Sequence, residues 1–300
     1  MKNLLLIVNP RSGRAKMGPA LLSVVEIFSK ADYSVTVYPT KEREDATRKV
    51  ETLKTGDYDL IVVCGGDGTL NEVITGLMRS SADVPIGYIP AGTLNEWSTG
   101  LGISKVIRTA AKDIVKGKEI TLDIGKFGDK YFTYTASFGA FTSASYSANQ
   151  DIKNVLGQAA YFFEGIKSLG AIKPIHLKFE ADGRVIEDNF LFGAVSNSMS
   201  VGGIVKFDQS VVKLNDGLFE VLLIKNPSNI LKLQPMLDGI LKQELNRDGM
   251  EFFHTSKITV TNGEGLDWTL DGEKATSGKT LEITNCKNAV RFIVPKKGEK

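Results

Sequence analysis

The first ninety residues alternate short apolar runs with segments of helical periodicity. The apolar runs lie at 4–8, 33–38, 59–64 and 85–90, and the helical patterns lie near 18–30, 43–54 and 70–80. Continuous apolar strands that alternate with helices are typical of a parallel sheet whose two faces are both covered. The sequence therefore predicts an α/β domain at the start of the chain.

The pattern changes after about residue 120 to short strands separated by turn signals. Ala181-Asp182-Gly183 lies between two alternating runs and predicts a β-hairpin. Two stretches with helical spacing interrupt the strands, at roughly 152–170 and 228–245. For the apolar side chains of the first stretch, packing into the core is favoured over the alternative that they line an acyl-chain groove or touch the membrane surface. We expect a second, predominantly antiparallel β domain.

Composition limits the function classes. The 300 residues suffice for two domains, and the formal net charge of +2 gives no global reason to expect a nucleic-acid partner. Two cysteines and two histidines make a disulfide framework or a Cys/His zinc site improbable, and we expect Cys64 and Cys286 to be small buried hydrophobic residues. No apolar run is long enough for a signal peptide or a membrane span, which favours the cytoplasm.

The segment IVVCGGDGTLNEV (61–73) places three glycines around one acid at the end of an apolar run. A strand, a glycine-rich turn and a helix together present backbone N–H groups and a positive helix end to a phosphate. Gly65, Gly66 and Gly68 would allow positive φ and close backbone approach, and Thr69 or Asn71 could cap the helix. The segment therefore indicates a phosphate-binding loop.

Asp67 is the unusual member of this loop, because a carboxylate repels phosphate directly. A cation between them, most simply Mg²⁺, would remove the conflict. A glycine-rich turn in which Asp67 merely caps the helix is nearly as well supported by the turn chemistry alone.

Two further loops have a similar composition. VNPRSGRAK (8–16) and IPAGTLNEW (89–97) also follow apolar strands and carry glycine with polar or basic side chains. The carboxyl ends of successive parallel strands lie along one edge of an open α/β sheet, where such sheets bind ligands. We therefore expect the three loops to form one phosphate-binding edge.

The loops match neither the P-loop nor the Rossmann glycine fingerprint. Gly65-Gly66-Asp67-Gly68-Thr69, preceded by NPRSG and followed by PAGTLN, resembles the catalytic domain of the diacylglycerol kinase family, in particular the soluble bacterial lipid kinases related to sphingosine kinases. The resemblance covers nearly the whole chain. It implies a Rossmann-like three-layer α/β nucleotide-binding domain over 1–125 and a C-terminal antiparallel β-sandwich lipid-substrate domain over 126–288. Residues 289–300 are candidates for a segment that packs with the first domain again.

The resemblance also implies ATP as phosphoryl donor and Mg²⁺ as cofactor. Residues at the matching positions are expected to bind the nucleotide: Asn9, Pro10, Arg11, Ser12, Gly13, Thr40, Gly65, Gly66, Asp67, Gly68, Thr69, Asn71, Glu72, Thr93 and Asn95.

WTLDGEKA (268–275) places Asp271 and Glu273 around a glycine between two strands. Taken alone, this is the pattern of a hairpin with solvated acids. The resemblance implies that Glu273 is the general base that removes the proton of a lipid hydroxyl, with Asp271 binding Mg²⁺ or orienting Glu273.

VVKLNDGLFEVLLI (211–224) contains an Asp-Gly turn before an apolar strand, which alone indicates the entry to a hairpin. By resemblance, Asp216 is expected to hold a structural Mg²⁺ together with the carbonyl groups of Lys213 and Leu218. Oxygen ligands of these kinds suit that ion.

The chain departs from the family after PAGTLN. In the family, Asp, an apolar residue, Ala and Arg usually follow in that order. This chain has Glu96-Trp97-Ser98-Thr99 instead. The sequence predicts an ATP-dependent lipid kinase that phosphorylates diacylglycerol or a related lipid at the membrane surface. An NAD kinase and a nucleotide- or lipid-binding regulator without activity stay as alternatives. The acceptor lipid, peripheral contact with the inner membrane face and a homodimer are left open.

Overall fold

A computed structural model describes most of the chain. The described residues are 1–12, 17–92, 95–139, 174–198, 200–201, 205–206, 213–227, 235–236, 239, 242 and 244–296. The chain divides into two compact units, Met1–Leu122 with Asn288–Lys300, and Asp123–Lys287.

The first unit alternates strands and helices. Its elements are β1 (Lys2–Val8), α1 (Met17–Ser29), β2 (Tyr33–Pro39), α2 (Asp45–Glu51), β3 (Leu60–Gly65), α3 (Asp67–Arg79), β4 (Ile86–Pro90), α4 (Glu96–Gly100) and α5 (Ile107–Lys116). Two further strands, β5 (Lys118–Phe127) and β17 (Thr280–Val294), continue from one unit into the other.

The strands of the first unit form a parallel sheet in the order β2, β1, β3, β4 and the end of β17. Helix α1 packs against α5, and α2 packs against α3. Across the sheet, the connection from β1 to β2 runs in one direction and the connection from β2 to β3 runs in the opposite direction. Because such crossovers are right-handed, α1 and α2 lie on opposite faces of the sheet. The predicted three-layer α/β arrangement is therefore confirmed.

Burial explains why the strands at the centre of the sheet read as continuous apolar runs. Every residue of β3 and β4 is buried, whereas every residue of β2 at the edge is exposed or partly buried. A strand covered on both faces needs apolar side chains at every position.

The second unit is built from antiparallel strands. They are β6 (Lys130–Phe132), β7 (Thr135–Gly139), β8 (Ile175–Ala181), β9 (Arg184–Ser196), β10 (Ser200–Val201), β11 (Val205–Lys206), β12 (Phe219–Lys225), β13 (Met250–Thr255), β14 (Lys257–Thr261), β15 (Asp267–Leu270) and β16 (Glu273–Thr276). The main order is β16, β15, β7, β9, β8, β14 and the first part of β17, while β12 pairs with β9 and β13. The predicted antiparallel β domain is confirmed.

An aromatic core holds this unit together. The ring of the buried Trp268 lies 5.2 Å from that of Phe127 and 4.8 Å from that of Phe138. Contacts of this kind add about 0.5–1.5 kcal/mol each beyond the apolar area that they bury. They fix β15, and with it the turn between β15 and β16.

The helix predicted over 152–170 lies outside the described residues, as does most of the one predicted over 228–245. In the part of the chain that is described, no helix combines the length and the apolar character that crossing a membrane requires.

Candidate functional site

The segments that follow β1, β2, β3 and β4 lie along one edge of the parallel sheet. The Asn9 amide donates to the Cys64 carbonyl at 2.9 Å, and the Thr40 amide donates to the Val8 carbonyl at 2.8 Å. The Ala91 amide donates to the Gly65 carbonyl at 2.8 Å. These bonds join neighbouring strands at their carboxyl ends, where the sequence places the candidate phosphate loops.

Two glycines let the loops after β3 and β4 touch each other. A Cβ atom added to Gly92 would lie 2.6 Å from the Cα atom of Gly66. Within the loop after β3, a Cβ atom added to Gly65 would lie 2.7 Å from the Cβ atom of Thr69. The expected close backbone approach is present, but the expected positive φ is wrong for this loop: φ is −90° at Gly66, and Gly65 and Gly68 are absent from the positive-φ glycines.

Asp67 is the first residue of α3, so its carboxylate lies at the positive end of a helix of 13 residues. Gly66 is the N-cap residue, and no side chain caps the helix. The expectation that Thr69 or Asn71 caps α3 is therefore wrong. The Thr69 hydroxyl instead accepts a hydrogen bond of 2.9 Å from the Asn9 side-chain amide, which ties the first loop to α3.

Asn95 holds the third loop in shape. It is buried, has a φ of 52°, and its side-chain oxygen accepts a 2.9 Å bond from the Gly92 amide. Its side-chain nitrogen donates to the Gly92 carbonyl at 2.9 Å. These two bonds fix the backbone of Gly92 where it meets Gly66.

Tyr88, which the sequence reasoning missed, connects the two loops from below. Its hydroxyl lies 3.2 Å from both the Gly65 carbonyl and the Asn95 side-chain oxygen. Burial, followed by the negative charge of Asp67, raises the pKa of Tyr88 above its ordinary range, so the phenol stays a donor. The available signal was one tyrosine inside an otherwise aliphatic strand.

The loop after β1 folds around Asn9. The Asn9 side-chain oxygen accepts the Arg11 amide at 3.0 Å, and its carbonyl accepts the Ser12 amide at 3.2 Å. Pro10 and Arg11 are exposed at the tip. Two expected nucleotide contacts, Gly13 and Thr93, lie outside the described residues.

Asn71 and Glu72 each accept a hydrogen bond that lies away from the loop tips. The Glu72 carboxylate accepts the Glu44 amide at 2.9 Å just before α2, and the Asn71 side-chain oxygen accepts the Thr75 hydroxyl at 3.4 Å. Glu72 therefore braces α2 against α3, a contact that the sequence did not indicate.

In the second unit, Asp271 and Gly272 form the two-residue turn between β15 and β16, with φ values of 49° and 88°. Positive φ at both positions is the type I′ geometry that tight hairpins prefer. Glu273 follows as the first residue of β16 and is exposed.

The Asp271 carboxylate is held by four hydrogen bonds from β7 and the segment before it. One oxygen accepts the Thr133 amide at 2.6 Å and the Thr133 hydroxyl at 2.7 Å. The other accepts the amides of Tyr134 and Thr135, both at 3.0 Å. A carboxylate has about four lone-pair sites, so these donors account for all of them.

Burial raises the pKa of the Asp271 carboxyl above its ordinary range, while the donated hydrogen bonds act in the opposite direction. The side chain thus serves as an anchor for the turn that carries Glu273.

The candidate metal position at Asp216 is a turn before β12. The Asp216 carboxylate accepts the Leu218 amide at 3.0 Å, and the Gly217 amide donates to the Asp123 carboxylate at 2.6 Å. Asp123 is fully buried, and the sequence reasoning missed it. The signal was an acid inside the apolar strand β5.

Glu220 adds a second buried acid close to this turn. It is 1% exposed, and neither of its carboxylate oxygens has a hydrogen-bond partner among the described residues. Burial, reinforced by the charges of Asp216 and Asp123, raises the pKa of Glu220 to about 8. Asp216 therefore lies near two buried acids, Asp123 and Glu220, whose carboxyl oxygens are ligands of the kind that a hard cation prefers.

No group of three His, Cys, Asp or Glu side chains in the described ranges is arranged to hold a metal ion. Any magnesium bound near Asp67 or Asp216 would therefore need carbonyl, water or phosphate oxygens as further ligands.

Cys64 is buried as expected, and burial raises the pKa of its thiol to about 12. Cys286 is a free cysteine and is only half-buried. The expectation that it is fully buried is therefore wrong.

Comparison with known families gives two matches. Residues 3–127 match the diacylglycerol kinase catalytic domain. Residues 135–290 match the YegS C-terminal NAD kinase β-sandwich-like domain.

Several named proteins are similar over most of their length. A diacylglycerol kinase of Bacillus subtilis (strain 168) is 31% identical, covering 99% of this chain and 97% of the relative. A diacylglycerol kinase of Staphylococcus aureus (strain MRSA252) is 30% identical, covering 89% of this chain and 85% of the relative. The crystal structure of a diacylglycerol kinase from Bacillus anthracis str. Sterne has a TM-score of 0.78 at 26% identity, covering 98% of this chain and 97% of that one.

Proposed function

The chain belongs to the diacylglycerol kinase family, and we propose that it is an ATP-dependent lipid kinase that transfers the γ-phosphoryl group to the hydroxyl of diacylglycerol. The observation that carries the proposal is the contact between Gly66 and Gly92 beside Asp67 at the start of α3. Bare backbone at the positive end of a helix is suited to phosphate groups.

In this proposal the first unit holds the nucleotide. The loop folded around Asn9, the turn at Gly65 and Gly66, and the segment fixed by Asn95 supply backbone N–H groups for the phosphates. Thr40, at the same sheet edge, is the outermost contact. Gly13 and Thr93 complete the expected set.

Asp67 and Asp216 are the residues that would hold Mg²⁺. An ion at Asp67, bound with the nucleotide, would neutralise charge on the phosphate oxygens, whereas an ion at Asp216 would be structural. The donor sets fit an oxygen-binding cation: Asp67 lies beside the phosphate loops, and Asp216 lies near the buried acids Asp123 and Glu220. The carbonyl groups of Lys213 and Leu218 are the further ligands expected at Asp216.

Glu273 is the proposed general base. It takes the proton of the lipid hydroxyl as the phosphoryl group is transferred, because an un-ionised alcohol is a poor nucleophile. Asp271 acts through Glu273 as a positioning residue, since its hydrogen bonds are made to the protein backbone and to Thr133. The second unit thereby serves the lipid acceptor, which we place at the membrane surface.

The curated relatives reported above are diacylglycerol kinases, which favours a lipid acceptor over NAD. The segment Glu96-Trp97-Ser98-Thr99 forms α4, where Trp97 packs against Phe292 with ring centroids 5.4 Å apart. This packing accounts for the tryptophan, and the regulator without activity gains no support from it.

The test is phosphoryl transfer from radiolabelled ATP, with Mg²⁺, to dioleoylglycerol, sphingosine, monoacylglycerol, phosphatidylglycerol and NAD in parallel. We expect labelled phosphatidic acid as the main product. Label on NAD alone, or ATP binding without any labelled product, would overturn the proposal.

A further inference from the structure

The surface of α5 concentrates positive charge in a chain that is nearly neutral. Residues 105–118 contain five basic residues and one acidic residue, whereas the net charge of the whole chain is +2. Arg108, Lys112 and Lys116 are spaced four residues apart along the helix and are exposed. Residues four apart share one face of a helix, so these three cations form a single stripe.

The opposite side of α5 is apolar and buried. Ala110, Ala111 and Ile114 face the sheet, and Ile114 packs on Gly87 of β4, where an added Cβ atom would lie 2.9 Å from it. The helix is therefore fixed with its basic stripe directed to solvent.

Most of the positive charge on the stripe is not neutralised by the described part of the chain. Lys112 and Lys116 form no ion pair within the ranges that the structure describes. Arg108 lies near Glu26 of α1, but Lys30 is the main cause of the lowered pKa of Glu26, and Arg108 adds only a smaller effect. The stripe is thus available to an anionic partner.

Exposed apolar side chains accompany the charge. Val106, the N-cap residue of α5, is 62% exposed, and Leu22 on the adjacent helix α1 is 80% exposed. Val115 is 37% exposed on α5 itself. Apolar side chains beside a basic helix face are typical of proteins that lie on a membrane surface.

The helix pair on the other face of the sheet differs. Helix α2 carries two acidic and two basic residues, and α3 carries two acidic residues and one basic residue. Among the described residues, neither α2 nor α3 carries an exposed large apolar side chain. The basic, apolar character therefore belongs to the α1–α5 face.

We propose that the α1–α5 face, defined by Leu22, Val106, Arg108, Lys112 and Lys116, docks the protein on an anionic phospholipid surface. Its cations would contact lipid phosphates, and Leu22 and Val106 would enter the interfacial region. Nucleic acid is also polyanionic, but Leu22 and Val106 are exposed aliphatic side chains, and no aromatic residue is among the exposed large apolar side chains of the described residues, which favours lipid. The inference rests on the proposed function, since a lipid kinase must reach acceptors that are held in a bilayer.

The test measures binding of the full-length protein to phosphatidylcholine vesicles with and without phosphatidylglycerol. The charge variant is Arg108→Glu with Lys112→Glu, and the apolar variant is Leu22→Ser with Val106→Ser. The matched control, Lys54→Glu with Arg79→Glu, makes the same change in net charge at exposed positions after α2 and at the end of α3.

We expect the charge variant to bind phosphatidylglycerol vesicles roughly 30-fold more weakly or worse, since each basic residue near an anionic surface contributes about fivefold. The apolar variant should lose about tenfold, and the control should retain wild-type binding. Activity on dioleoylglycerol in vesicles should fall in parallel, while activity on a short-chain diacylglycerol dissolved as monomers stays unchanged.

Unchanged binding in the charge variant, an equal loss in the control, or displacement of the vesicles by duplex DNA that binds through the same residues would overturn the inference. Binding that falls as expected in a protein that phosphorylates neither lipid supports the docking surface and removes the proposed function. The two failures are thereby distinguishable.

Discussion

Two Asp-Gly turns in the second unit have the same backbone geometry and different surroundings. Asp182-Gly183 joins β8 to β9, and Asp271-Gly272 joins β15 to β16. The φ value is 49° at both aspartates, and it is 77° and 88° at the glycines. Each turn closes a two-residue hairpin of the type that Asp-Gly favours.

The side chains differ completely. Asp182 is exposed, whereas the Asp271 carboxylate accepts four hydrogen bonds from Thr133, Tyr134 and Thr135. The residue after the glycine is Arg184 in one turn and Glu273 in the other. The comparison teaches that the dipeptide fixes the turn, while neighbouring strands decide whether the turn is anchored.

The largest expected effect separates the residues that follow the two glycines. Glu273→Gln should lower turnover by roughly 10²–10⁴-fold while ATP binding survives, because loss of a general base slows proton removal by this order. Arg184→Gln should leave turnover unchanged. Steady-state assays with labelled ATP provide the measurement, and wild-type turnover in the Glu273 variant would remove this residue from the mechanism.

The second prediction concerns the aspartates themselves. Asp271→Asn should lower the free energy of unfolding by about 2–4 kcal/mol, because the new NH₂ group faces donors and leaves them unpaired. Asp182→Asn should stay within about 0.5 kcal/mol of the wild type, as is usual for exposed sites. Urea titrations of both variants give the values, and equal losses would contradict an anchoring role for Asp271.

Glu220 extends the comparison to a buried acid without hydrogen-bond donors among the described residues. Its pKa is raised to about 8, so its contribution to stability is present at low pH and is lost as pH rises through about 8. The free energy of unfolding should fall by about 1.4 kcal/mol per pH unit between about pH 5 and pH 8.

Glu220→Gln should remove this slope, because the amide does not ionise. Urea titrations of wild type and variant across the same pH range make the test. A slope that persists in the variant would assign the pH dependence to other groups.

The smallest effect concerns the two glycines. Gly183→Ala and Gly272→Ala should each cost about 1 kcal/mol of stability, because positive φ is unfavourable for alanine and an added Cβ atom meets nothing within 4 Å at either site. Thermal unfolding should show similar shifts. Turnover should fall only for Gly272→Ala, and a similar fall in Gly183→Ala would show that the assay reports general destabilisation.

The position of the loops could be predicted because parallel strands bring their carboxyl ends to one edge. Asn9, Gly66 and Asn95 needed only the strand assignments to be placed there. The reason for the glycines could not be predicted. Gly92 excludes a Cβ atom, and Gly66 leaves little room for one, because two loops distant in sequence touch, whereas their φ values give no such reason.

Tyr88, Asp123 and Glu220 were missed for a related physical reason. Each lies in an apolar strand, where sequence pattern alone treats a polar residue as an exception. Their roles depend on which backbone groups and charges lie across the sheet, and these come from distant parts of the chain.

By itself, the sequence determined the α/β and antiparallel β organisation, the edge that carries the loops and the presence of both Asp-Gly hairpins, because periodicity and turn chemistry act over a few residues. The tertiary structure alone decided that Gly66 meets Gly92, that Asp271 is anchored and Asp182 is free to face water, and that α1 and α5 share one surface. Contacts between distant segments set the burial and the partners of each side chain, and no local pattern encodes them.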